Sequence, residues 1–181
     1  MDWADHVRRE EERYRDGERR LREVADADAR QRQLTRMGNA AGGAALASLM
    51  QGDRAAAAEW FARSAARYRE SWDDAPPGSW GRPIGALKAL VLGEDVEARA
   101  LADSLRDRDD FPSAVADALA TIAAADRAGY LLAVEDVLES FETRDDYLED
   151  VPVADTVLVL QELARPRDVA VELRPSSLLP R

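Results

Sequence analysis

Three short breaks in this chain each lead into an amphipathic helix rich in small residues. Gly52-Asp53 precedes Ala57, Phe61 and Ala65, Gly93-Glu94 precedes Ala98 and Ala102, and Gly129-Tyr130 precedes Ala133, Val137 and Phe141. The breaks stand 41 and 36 residues apart. That spacing is typical of helix-hairpin arrays, in which no hairpin buries its apolar face alone and neighbours must stack. The expected fold is all-α, a right-handed α-α superhelix of about eight helices stacked as antiparallel hairpins. One domain is expected over 1–181, with a charged helix over 1–24, the hairpin array over 28–166 and an extended tail over 167–181.

Composition supports burial of a core. The chain is 46% apolar, and 34 of its 181 residues are alanine, a helix former that lets axes approach closely. No run reaches the ~18 consecutive apolar residues of a membrane span. The start, Met1-Asp2-Trp3-Ala4-Asp5, lacks the basic lead and apolar stretch of a secretory signal, so a cytoplasmic protein is expected. Absence of cysteine removes disulfides, thiolate catalysis and Cys-based metal sites together.

The net charge is −11, with 21 Asp and 15 Glu against 24 Arg and the single Lys88. Such a balance repels phosphates, so neither nucleic acid nor an anionic membrane is an expected partner. Asp-rich, Lys-poor composition resembles that of proteins from salt-accumulating archaea, where molar salt shortens the Debye length to ~3 Å and screens this self-repulsion. A GC-rich genome, which raises Arg and Ala through codon usage, is the alternative.

Along the N-terminal helix Trp3, Val7, Tyr14 and Leu21 form one narrow stripe, flanked by pairs such as Glu11–Arg15 at i,i+4. That stripe is expected to pack on the array or to pair in a homodimer. Asp26 is a candidate cap for a helix reaching Gln51, with Leu34, Met37, Ala41, Ala45 and Leu49 on one side. Gly38, Gly42 and Gly43 lie beside that line and predict close contact with another helix. Asp53 caps the next helix, in which Trp60, Ser64, Ala66 and Tyr68 broaden the buried side. Small Ala57, large Phe61 and small Ser64 resemble the second helix of a tetratricopeptide unit.

Pro76-Pro77-Gly78 cannot continue a helix, while Pro83 suits the first turn of the next one. Trp72 and Trp80 flank this interruption. They either clamp the loop on the core or, with Arg69 and Arg82, form the lip of a protein-binding groove. Further pairs are expected over 83–92 with 95–106 and over 112–126 with 130–141. Leu87, Leu90 and Val91 would meet Val96, Leu101 and Leu105, and Val115, Leu119 and Ile122 would meet Leu131, Val134, Leu138 and Phe141. A last apolar helix over 152–164 precedes an extended Val169-Ala170-Val171-Glu172-Leu173.

Catalytic chemistry finds few residues to work with. His6 is the only histidine, on a helix read as exposed, so a Ser-His-Asp triad or a histidine metal site lacks a second member. The acidic runs at 107–110 and 145–150 lack the glycine and terminal glutamate of a calcium loop. No catalytic residue, metal or cofactor is therefore expected.

The C-terminal quarter carries a family resemblance. Asp126 to Phe141, Tyr147 to Leu163, Val169 to Leu173 and Ser177-Leu178-Leu179-Pro180 are similar to the end of the Imm49 group of immunity proteins, although 164–168 stands where a glycine turn is expected. The resemblance implies an all-helical protein that binds a toxin from bacterial competition systems, and it transfers no active-site residue. The expected function is a non-enzymatic protein-binding or scaffolding module. Its rival is a small-molecule-binding or hydrolytic protein with an acidic pocket between hairpins.

Overall fold

Local capping decides where the N-terminal helices begin. This computed structural model describes residues 2–70, 81–144 and 153–179, and of 68–70 and 81 only the backbone. Eight α-helices lie among the described residues: α1 Trp3–Leu21, α2 Ala27–Met50, α3 Arg54–Glu70, α4 Gly81–Leu92, α5 Asp95–Arg106, α6 Ser113–Ala123, α7 Arg127–Glu142 and α8 Asp155–Ala164. The chain is all-helical, built of packed neighbouring helices, and no strand occurs among the described residues. Asp2, Asp26 and Asp53 each accept backbone N–H groups of the turn that follows, at 2.7–3.2 Å, satisfying donors that a helix start leaves orphaned. No described helix is long and apolar enough to cross a membrane.

Contacts divide the chain into two compact units, Met1–Glu94 and Asp95–Arg181. In the first, α2 packs against both α1 and α3, and α4 packs on α3. Burial on two sides explains why α2 spends so many small residues. Leu34, Met37, Ala41, Ala45 and Leu49 are buried as expected, but so are Ala40, Ala44, Ala47 and Ser48. The glycines mark the closest approaches. A Cβ on Gly42 would stand 3.1 Å from Ile84 Cδ1 of α4, and one on Gly43 3.2 Å from Glu10 Cγ of α1. Ser64 of α3 donates to the Gly38 carbonyl at 2.8 Å. Ala57, Phe61 and Ser64 are fully buried, whereas Ala66 is exposed and does not belong to the core side.

In the second unit α6 packs between α5 and α7, and α8 contacts both α6 and α7. The buried stripe of α5 is Ala98, Ala102 and Leu105. Val96, expected to face α4, is 88% exposed, and Leu131 is also exposed. Small residues lie on the contact side because α5 and α6 approach closely, which turns Val96 outward. Beyond α8 and a 3-10 turn over Arg165–Arg167, the tail runs without secondary structure over the unit. The Gln161 side-chain amide holds Val171 as a neighbouring strand would, donating to its carbonyl at 2.6 Å and accepting its N–H at 3.3 Å. Ala154 N–H donates to the Leu178 carbonyl at 3.0 Å, and Val169 and Leu178 are buried. Arg174 bridges Glu135 and Glu142 of α7, and Ser176 also donates to Glu142. Hydrogen bonding from Arg174 and Ser176 holds the Glu142 carboxyl below its usual pKa range. Arg167, almost covered, pairs with Asp95 and so ties the end of α8 to the start of α5.

One hydrogen-bond pattern ends four of the helical segments. After α2, the N–H of Asp53 bonds to the Ser48 carbonyl and that of Gly52 to the Leu49 carbonyl, with Gly52 at φ +80°. Glu94 and Gly93, with φ +78°, repeat this after α4, and Asp126 and Ala125 after α6. Val169 and Asp168 do so after the 3-10 turn, where Asp168 takes φ +56° in place of a glycine. These are Schellman caps, whose left-handed residue is normally glycine. The third break is thus centred on Ala125, not on Gly129, which lies in the first turn of α7. Ala125, exposed at φ +52°, carries a steric cost that glycine lacks. Ala125→Gly should raise unfolding free energy by about 0.5–1 kcal/mol after the added unfolded-state entropy is subtracted. Urea denaturation checks this, and an unchanged or lower midpoint would contradict the cap geometry.

Candidate functional site

Long side chains of α1 and α3, the two helices packed on α2, meet at the surface of the first unit. Tyr14 of α1 and Trp60 of α3 are buried at 6% and 7% exposure, and their rings meet edge to face with centroids 5.6 Å apart. Two guanidinium groups from successive turns of α3 cover this pair. Arg63 lies 4.4 Å above the Trp60 ring, and Arg67 donates its Nε–H to the Tyr14 hydroxyl at 3.0 Å. Glu18 lies 3.6 Å from Arg67. Glu11, Tyr14, Arg15, Glu18, Trp60 and Arg63 line an open cleft of about 370 Å³.

The two arginines are not equivalent. Arg67 is held by a hydroxyl, a carboxylate and the Tyr14 ring. Arg63 is stacked on Trp60 and about half exposed, and its ion pair with Glu59 is loose, at 3.9 Å. A guanidinium held over an indole by cation–π attraction still has N–H groups to offer a carboxylate. The cleft therefore offers an aromatic floor, the Arg63 guanidinium and, on the α1 side, Glu18 together with Glu11 and its ion-pair partner Arg15.

Of the residues expected to contact a partner, Trp72 and Trp80 lie outside the described residues, as does the Arg69 side chain. Arg82 is exposed in the first turn of α4. The sequence places Trp60 on a buried side and Tyr14 in a stripe that packs on the array or pairs in a homodimer, and nothing in it singles out Arg63 or Arg67 as contacts. The one signal it carries is the spacing 60, 63 and 67, which puts the three on one face of α3 as i+3 and i+4 neighbours. His6 is half-buried rather than exposed, lies edge-on to Trp3 at 6.4 Å and has a buried Nδ1 without a hydrogen-bond partner among the described residues. Glu10 is the one carboxylate buried among the described residues, and it pairs with Arg13 at 2.7 Å. The acidic run at 107–110 is tied by Arg108 to Asp110 at 2.7 Å, which lowers the Asp110 pKa, while 145–150 lies outside the described residues. No group of three potential metal ligands occurs among the described residues.

Comparison of the chain with known protein families, curated proteins and solved structures returned no match.

Proposed function

We propose that this protein is a non-catalytic protein-binding module of the cytoplasm that grips a partner segment in the α1–α3 cleft. The supporting observation is the Tyr14–Trp60 pair capped by Arg63. Trp, Tyr and Arg are the residue types that dominate binding energy at interfaces, and here they already lie together. An acidic side chain or chain terminus of the partner pairs with Arg63, while apolar atoms beside it cover the ring edges. A toxin, the partner class implied by the Imm49 resemblance, is one protein that could supply such a segment. Added salt leaves the aromatic contribution in place while screening the ionic one.

Selection of displayed random peptides against the whole chain tests this reading. Enriched peptides should carry an acidic residue beside an apolar one and should lose about tenfold in affinity when Arg63→Glu reverses the presented charge. Arg63 is about half exposed, so that variant should still fold, with its melting temperature lowered only by loss of the contacts with Trp60 and Glu59. Failure to enrich any peptide, or equal binding to Arg63→Glu, would overturn the proposal.

A further inference from the structure

The charge of this chain is segregated by unit. Residues 1–94 contain 16 acidic and 16 basic residues, whereas residues 95–181 contain 20 acidic and 9 basic, so the second unit carries the whole net charge of −11. Adaptation to salt would act on every exposed surface alike and does not account for a balanced half beside an acidic one. Within the acidic unit, the outward face of α7 begins with a bare leucine pair. Leu131 is 39% exposed and Leu132 70%. The same face continues with carboxylates one and two turns on. Glu135 is paired with Arg174 of the tail, but exposed Asp136 and Glu139 have no ion pair among the described residues.

We infer that the outward face of α7 docks a basic amphipathic helix of a partner protein, distinct from the segment held in the α1–α3 cleft. Its apolar side covers Leu131 and Leu132, and its Lys or Arg side chains reach Asp136 and Glu139. Charge complementarity selects this occupant. An anionic surface repels nucleic acid, anionic lipid and another copy of the same acidic unit, and its field draws a cationic partner in. The leucine pair then supplies the contact that a purely electrostatic encounter lacks, and the helix-on-helix register sets which basic positions count.

The test uses the full chain and three synthetic peptides: a basic amphipathic helix with a leucine face and lysine flanks, a scrambled peptide of the same composition, and a version with glutamate replacing lysine. Fluorescence anisotropy should show the first binding about tenfold more tightly than the scrambled peptide, with the glutamate version not binding. Leu132→Lys should weaken the first peptide about tenfold, and Asp136→Asn with Glu139→Gln should flatten its salt dependence, both with unchanged melting because these side chains are exposed. Arg63→Glu should leave this binding as it is, which separates the α7 site from the cleft. Equal binding of the scrambled peptide, insensitivity to Leu132→Lys, or loss on Arg63→Glu would overturn the inference. So would light scattering that shows a dimer abolished by Leu132→Lys, since the occupant would then be a second copy.

Discussion

Replacing Gly17 by valine is expected to lower the unfolding free energy by about 2–3 kcal/mol, the upper part of the range for overpacked cores. A Cβ there would stand 2.4 Å from Met37 Cγ and 2.9 Å from Gln33 Nε2. Met37 is 1% exposed, and the atom met is near its backbone rather than at its mobile end, so α1 must move off α2. Valine is a better helix former than glycine by a few tenths of a kcal/mol, too little to offset the clash. Any displacement of α1 also draws Tyr14 away from Trp60 and Arg67. Chemical denaturation measures the loss, with Ala4→Val at an exposed position of the same helix as the control. Equal stability of the two variants would mean that α1 does not pack on α2 through Gly17.

Alkaline pH should destabilise the protein through one side chain. Tyr130 is fully buried, and its hydroxyl donates to Gln161 Oε1 at 3.2 Å. Burial pushes its pKa well above the ordinary value of 10.0. Below pH 10 the folded and unfolded chains both keep this proton and stability is complete. As pH rises further, the unfolded chain releases the proton and the folded chain does not, so stability falls by about 1.4 kcal/mol per pH unit. Tyr130→Phe removes the titration along with the hydrogen bond. That variant should start about 1 kcal/mol less stable near neutrality, then match the parent at about pH 11 and exceed it beyond. Parallel stability curves for the two proteins across this range would contradict the assignment.

Glycine and aspartate were informative wherever their role is local. Gly52 and Gly93 occupy left-handed cap positions, and Asp26 and Asp53 cap their helices, each within a few residues of the chain. Gly129 misled for a reason that lies in contacts. A Cβ on it would meet Asp126 Oδ2 at 2.5 Å and Thr121 Cγ2 at 2.9 Å, so glycine is needed inside the helix start while Ala125 takes the strained turn. Val96 and Leu131 misled differently. Helical spacing identifies candidate faces, but packing of the small Ala98 and Ala102 decided which face α5 buries, and Leu131 lies off the buried line of α7.

Helix content, most helix boundaries and the close approaches along α2 follow from interactions spanning a turn or two, and these are written into residue spacing. The Arg67–Tyr14 bond joins residues 53 apart, and the edge-to-face contact of Tyr14 with Trp60 forms only because α1 and α3 both pack on α2. No period in a sequence encodes which distant side chains will meet, because that depends on how helices cross and how far small residues let their axes close. The cleft is accordingly a product of packing, as is the exposure of Leu131 and Leu132.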